Sequence, residues 1–324
     1  MTVPARLLLG SDVDMPPRPQ SIPTDLVARA FSTDEAARVG VSKRRLQGQQ
    51  IRSLGRSLHC DALTPVSWEA KVCGWLSILP EEAALYGRSA ARWWGVPMPD
   101  DSAVVHIVVP SGDTKPRKRP GLRPHSGSAP VTVVRGVRVT IPAHTFLDLA
   151  AERDAQLLVV VGDDLLTRSL VTREDLDHVV GEATGARGVV LARQIVPMLR
   201  TGVDSPRESI LRWRMLEHGL PCPVVNPEVY DDAGGWLARP DLAYPELRIA
   251  IQYEGDGHRT SRKRWQQDIM RDEVMRDHGW EIIRVTAAQL RRPWQLCELI
   301  RRRMHAQAQR LGLVLDPVSL TVVG

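Results

Sequence analysis

Residues 238–258 read A-R-P-D-L-A-Y-P-E-L-R-I-A-I-Q-Y-E-G-D-G-H, and few folds accommodate so many charged and amide groups threaded between apolar ones. The spacing predicts a hairpin. Leu242-Ala243-Tyr244 closes a first strand and Pro245-Glu246 supplies the turn. Residues 248–254 then alternate, with Ile249, Ile251 and Tyr253 on one face and Ala250, Gln252 and Glu254 on the other. Strand rise sets Gln252 and Glu254 about 7 Å apart on their shared face. Asp241 lies across the hairpin from them. Gly255-Asp256-Gly257 ends the strand and lets His258 turn back over the same edge. A carboxylate facing two oxygen-bearing side chains on the next strand is a seat for a hard divalent cation.

The rest of the chain bounds what that hairpin can belong to. At 324 residues there is room for two or three domains with proper cores. With 43% hydrophobic and 25% charged residues, neither global disorder nor a fibre is indicated. The net charge of +5 favours an acidic partner. Much of that charge is arginine, whose guanidinium binds phosphate bidentately. Cys60, Cys73, Cys222 and Cys297 show no C-x-x-C spacing, which argues against a zinc site or a disulfide framework and fits a reducing cytoplasm. No run approaches the roughly 20 apolar residues of a membrane span. The first residues, with a single Arg6 before acidic Asp12 and Asp14, make a poor signal peptide. The expectation is a cytoplasmic protein with no membrane partner.

Residues 1–24 hold five prolines and little periodicity, the composition of a loosely ordered lead-in. Residues 25–60 carry a helical pattern. Ser32 or Thr33 caps a helix with Glu35 in its first turn and Ala36, Ala37 and Val39 as its inner side. Gly40 breaks it, and Ser42 caps a second helix bearing Lys43, Arg44 and Arg45. Helix, glycine turn and basic helix is the layout of a helix-turn-helix, with residues 51–59 as wing strands. The same residues also fit a helical hairpin whose basic turn is simply solvated. Residues 61–200 read as a middle scaffold domain: a helix over 82–95, a strand over 104–109, a hairpin turning at Gly136, then helices to Leu199. The run Thr201-Gly-Val-Asp-Ser-Pro marks a boundary, with Asp204 or Ser205 capping a helix that has Pro206 at its first position and Glu208 in its first turn. Residues 201–312 form the last domain and 313–324 a tail.

Two resemblances rest on these motifs. Phe31-Ser-Thr, Ala37, Gly40-Val41-Ser42 and Leu46 resemble the N-terminal winged helix of actinobacterial proteins related to AbiE-type antitoxins. Ser205-Pro-x-Glu208, Leu211-Arg212, Gly219-Leu-Pro-x-Pro223, Arg239-Pro-Asp241, Ile251-Gln-Tyr-Glu-Gly-x-x-His258, Trp265-x-x-Asp268-x-x-Arg271 and Gly279-Trp-Glu-Ile-Ile-Arg284 resemble very-short-patch-repair (Vsr)-like proteins of the PD-(D/E)XK nuclease superfamily. This second likeness spans about 100 residues. It implies a mixed α/β chain: a restriction-endonuclease-like C-terminal domain, a mostly helical winged-helix region and a mixed α/β middle domain.

The resemblance further implies a DNA endonuclease or nickase in defence or repair, dependent on Mg²⁺ or Mn²⁺. Asp241 would be the principal metal ligand, joined by Gln252 and Glu254. Glu208 would bind metal through water or orient the nucleophile, and His258 would carry a proton. Lys43, Arg44 and Arg45 of the winged helix, with Arg259, Arg262, Arg271 and Arg284 around the metal face, would contact DNA. Asp268 and Arg271, three residues apart on a helix, suit an ion pair. Trp265 with Ile269 and Met270 with Val274 would supply that helix's packing stripes. From 259 to 303 there are 12 Lys and Arg against 6 Asp and Glu, which suits a phosphodiester substrate.

One departure bears on the chemistry. The family's usual I-E-Y-D-G is here Ile251-Gln252-Tyr253-Glu254-Gly255. Glutamine offers a carbonyl oxygen without charge, so it binds Mg²⁺ more weakly and cannot act as a base. The alternative is therefore a catalytically inactive, AbiE-antitoxin-like transcriptional regulator. A toxin or other protein encoded nearby would be a further partner.

Overall fold

A computed structural model describes residues 21–55, 57–98, 103–112, 117–255 and 262–323, with side chains in the last span described from Met270 onward. The chain is mixed α/β and forms two compact units. One runs to Leu79 and includes Arg119–Gly121; the other comprises Pro80–Lys118 and Leu122 onward. The expected boundary near residue 201 thus lies inside the second unit.

In the first unit a three-stranded antiparallel sheet, order β1-β3-β2, is built from β1 (Ala30–Ser32), β2 (Ile51–Gly55) and β3 (Leu58–Asp61). Between β1 and β2 lie α1 (Thr33–Arg38) and α2 (Lys43–Leu46). Ser32 and Glu35 close a reciprocal capping box on α1, and Ser42 caps α2 through the Arg45 amide. Leu26, Phe31, Ala36, Val41, Leu46 and Ile51 form the core. Of the three residues expected on the inner side of α1, only Ala36 is buried; Ala37 and Val39 face solvent. A six-residue helix has too short an apolar arc to bury all three. The helix α3 (Trp68–Leu76) completes this unit.

The second unit opens with a five-stranded sheet. Its strands are β4 (Ala84–Leu85), β5 (Val105–Val109), β6 (Leu122–Ser126), β7 (Val131–Val134) and β8 (Val137–Thr140), in the order β6-β5-β4-β8-β7. The helix expected over 82–95 is shorter. Residues 84–85 pair as strand with β5 and β8, and α4 (Gly87–Trp93) begins only after Tyr86. Arg135 and Gly136, both at positive φ, make the two-residue turn between β7 and β8. A helical layer follows: α5 (Pro142–Ala150), α6 (Ala155–Thr167), α7 (Arg173–Glu182) and α8 (Val189–Ile195). Phe146, Leu149, Leu158, Leu165 and Leu176 are fully buried within it.

Next come α9 (Pro206–Glu217), β9 (Val224–Val225), the hairpin β10 (Val229–Tyr230) and β11 (Trp236–Ala238), then β12 (Leu242–Tyr244) and β13 (Ile249–Glu254). One turn of 3₁₀ helix (Pro245–Leu247) and Arg248, at φ 49°, connect β12 to β13. The chain continues through α10 (Arg262–Asp277), β14 (Glu281–Thr286), α11 (Ala287–Leu290), α12 (Pro293–Leu311), and the short pair β15 (Val314–Leu315) and β16 (Val322–Val323).

The resulting four-stranded sheet has the order β14-β13-β12-β9, with β13 and β14 parallel and the other neighbours antiparallel. A parallel neighbour requires a crossover, which α10 provides. The expected alternation in β13 is present. Ile249 and Ile251 enter a core with Leu211, Met215, Leu296 and Ile300, on the side of α9 and α12. Ala250 joins Ala243, Leu237, Met275 and Trp280 on the opposite side. The helix α10 turns differently from expectation: Met275 and Asp272 are buried, while Met270 and Val274 are exposed.

Candidate functional site

At the C-terminal end of β13 the even-numbered residues leave the apolar layer and become polar. Leu242 pairs with Ile251 and Ala243 with Ala250, so continuing the antiparallel register puts Asp241 beside Gln252. The Asp241 carboxylate accepts the Tyr253 backbone N–H at 2.7 Å, which ties it across the hairpin. Gln252 pairs in parallel register with Arg284, and Glu254 with Thr286. Side chains directly opposite share a face. Asp241, Gln252, Glu254 and Arg284 therefore line one edge of the sheet, on the side of α10.

Glu208 arrives from the first turn of α9 and is 6% exposed. Its carboxylate accepts the Asp204 backbone N–H at 3.0 Å, the Ser205 hydroxyl at 2.8 Å and the Asn226 side-chain amide at 3.0 Å. Asn226 holds a positive φ of 45° and donates its backbone N–H to the Asp241 carbonyl at 2.9 Å. Glu208 and Asp241 are thereby linked through one residue. Arg239 joins the same rim through Asp204, at 2.7 Å.

Glu254 has a partner that spacing did not foretell. Arg284 donates to Glu254 at 2.8 Å and to Asp272 of α10 at 2.7 Å and 2.9 Å. Asp272 is nearly fully buried, whereas Glu254 and Arg284 are partly exposed. Burial alone would lower the Arg284 pKa; the two carboxylates outweigh it and raise it. The guanidinium thus bridges the sheet edge to the helix covering it. Asp272 lies in a short polar run with Arg271 and Glu273, and only the rotation of α10 brings its carboxylate to the sheet edge.

Arg271 stands 6.0 Å from the Trp236 ring, over its face. His258 and Arg259 lie outside the described residues, as do the side chains of Arg262, Trp265, Asp268 and Ile269. The oxygen donors Asp241, Gln252 and Glu254 are of the type a hard cation takes. Among the described residues no three His, Cys, Asp or Glu side chains are grouped closely enough to hold a metal ion.

In the first unit Lys43 and Arg44 are exposed on α2, while Arg45 donates to the Ser21 carbonyl at 2.7 Å. Lys43 flanks a groove of about 470 Å³ floored by Leu46 and Ile51 and walled by Thr33, Gln47 and His59. Thr33 and His59 are hydrogen-bonded at 3.2 Å, and burial lowers the His59 pKa. All four cysteines are free thiols. Among the described residues, no helix is long and apolar enough to cross a membrane.

No protein-family model matches the chain. Two curated proteins of Mycobacterium tuberculosis, from strains CDC 1551 / Oshkosh and ATCC 25618 / H37Rv, are similar to it. Each is described as uncharacterized. Each is 27% identical over 231 residues, which cover 71% of this chain and 81% of the relative. The likeness thus extends over most of both chains and brings no activity with it.

Proposed function

We propose that the chain is a DNA-binding protein whose C-terminal part has a Vsr-like, PD-(D/E)XK nuclease architecture and acts as a Mg²⁺- or Mn²⁺-dependent endonuclease or nickase. The observation that supports this reading is the meeting of Asp241, Gln252 and Glu254 on one polar sheet edge, with Glu208 joined to Asp241 through Asn226. Asp241, Gln252 and Glu254 are the residues that would hold the cation. Bound there, it would polarise a scissile phosphate and lower the pKa of an attacking water. Asp241, pinned by the Tyr253 amide, keeps its carboxylate at the edge without reorganisation. Arg284 offers a guanidinium on the same face to orient a phosphate. Exposed Lys43 and Arg44 on α2 suit a second DNA contact in the winged-helix reading of the first unit.

The test is nicking of supercoiled plasmid by purified protein with Mg²⁺ or Mn²⁺. Asp241→Ala should abolish it, and chelation should do the same. Inactivity of the parent protein on single-stranded, nicked and mismatched DNA with either metal would sink the reading. A second reading, a non-catalytic DNA-binding regulator, is favoured by one observation: Arg284 already neutralises Glu254 while Gln252 carries no charge. It expects duplex binding that depends on Lys43, Arg44 and Arg45 and is indifferent to Asp241→Ala. Cleavage gained with Gln252→Glu would identify a decayed enzyme.

A further inference from the structure

Where β14 ends, the chain forms an arginine-lined groove that takes no part in the site above. Thr286, opposite Glu254 in the parallel register, caps α11, and Arg291 follows at that helix's C-terminal end. Between α11 and α12 lies a groove of about 510 Å³ lined by Gln289, Arg291, Arg292, Gln295, Leu299 and Arg302, over a floor of buried Leu296. Arg292, Gln295, Leu296, Leu299 and Arg302 recur at helical spacing, so they form one stripe running about 15 Å along α12. Among the described residues, no acidic side chain lines it.

The arginines here differ from their neighbours. Arg301 is paired with Glu298 at 2.8 Å, and Arg303 with Glu281 at 2.8 Å. Arg291, Arg292 and Arg302 are exposed, and none makes a side-chain hydrogen bond or ion pair among the described residues. Three unpaired guanidiniums in one concavity repel one another and are relieved by an anion of matching length. Fifteen ångströms corresponds to about four nucleotides of one DNA strand. Arginine forks match phosphate oxygens, and glutamine amides are ordinary sugar-phosphate contacts.

We infer that this groove binds the phosphodiester backbone of DNA leading away from the Asp241–Glu254 edge. The inference rests on the DNA-binding reading but not on catalysis. It assigns the substrate's flanking strand to α12.

The experiment is fluorescence anisotropy of a labelled oligonucleotide, single-stranded and duplex, with full-length protein in chelator across a series of salt concentrations. Arg291→Gln with Arg302→Gln keeps a hydrogen-bonding side chain at each position and removes two charges. Arg153→Gln with Arg187→Gln, two exposed arginines elsewhere, is the charge-matched control. The groove variant should lower the slope of log affinity against log salt by about 2, one for each lost phosphate contact, with the control close to the parent. Circular dichroism of both variants should match the parent.

If the parent binds and the groove variant retains its slope, or loses no more than the control, the groove assignment is overturned while DNA binding stands. Displacement of DNA by poly-glutamate at matched charge would also overturn it, in favour of an acidic protein. If the parent binds no DNA, both readings fall together. Binding with the expected slope but without cleavage would remove the nuclease reading and leave the groove in place.

Discussion

Arg212 and Asp163 offer the sharpest test of how the second unit is held together. Arg212 reaches from α9 to α6, where its Nη2 lies 2.6 Å and 2.8 Å from the two Asp163 oxygens. The side chains are 0% and 1% exposed. Asp163 also accepts the Ser209 hydroxyl at 2.7 Å and the Arg200 backbone N–H at 2.8 Å, while Arg212 donates to the Met198 carbonyl at 2.6 Å. Burial pushes the Asp163 pKa up against the pull of these donors.

Replacing Arg212 by Met preserves volume but strands a buried carboxylate with two neutral donors and leaves the Met198 carbonyl without its arginine. Breaking such a pair costs about 3–5 kcal/mol. Asp163→Leu should cost a similar amount, because it leaves a guanidinium in the same dry interface. The double variant should recover about 5–7 kcal/mol relative to the sum of the two single costs, since an apolar pair no longer buries a lone charge. Ser209, Arg200 and Met198 still lose partners, which keeps the double variant below the parent by about 1–3 kcal/mol.

Urea unfolding followed by circular dichroism measures all four corners of the cycle. Each single variant should lower the melting temperature by roughly 6–20 °C at about 2–4 °C per kcal/mol for a unit of this size. Either single variant costing under about 1 kcal/mol, or costs that simply add in the double, would refute the argument.

Three further outcomes are expected. Gly188 sits at φ +82°, and a Cβ there would meet the Ala150 carbonyl oxygen at 1.9 Å, so Gly188→Ala should destabilise by more than about 2 kcal/mol in the same urea assay. Burial raises the Asp148 pKa from 3.8 to about 7 against hydrogen bonds from Gly87, Thr140 and Tyr86, and among the described residues its Oδ2 has no hydrogen-bond partner. The folded state then keeps a proton that the unfolded chain has lost, so stability should fall as pH rises from about 4 to about 7, by at most about 4 kcal/mol. Asp148→Asn should flatten that dependence; an unchanged pH profile would count against it. Arg284→Met leaves buried Asp272 with only the longer 3.4 Å contact to Arg276, at a cost of about 1–2 kcal/mol after discounting for the arginine's exposure, and Asp272→Asn on the same background should recover part of it.

The hairpin's alternation, a cap at Ser32 or Thr33 and another at Asp204 or Ser205, and the turn at Gly136 were legible from the chain alone, because each is decided by neighbours within a few residues; the structure chose Ser32 and Ser205. Period-two patterning assigned Gln252 and Glu254 to one face whatever packed against it. Side-chain oxygens at Ser32 and Ser205 satisfy amides three residues away. Where a residue's partner is distant, the same kind of reading stops. Nothing in the run from 268 to 277 says that Asp272 meets Arg284. The short strand at 84–85 is recruited by β5 and β8, although its own sequence continues a helical pattern.

Turn residues mark 201–206 as a break, and the chain does bend there. Only the tertiary structure decides that the break is bridged, since Asp163 and Arg212 are 49 residues apart and meet in a dry interface. A residue's own side chain sets which groups it can pair with. The geometry of elements folded around it sets which one it does. In the same way the sequence by itself determined an oxygen-rich edge at 241–254, and folding alone brought Glu208 to Asn226 and put a guanidinium on Glu254.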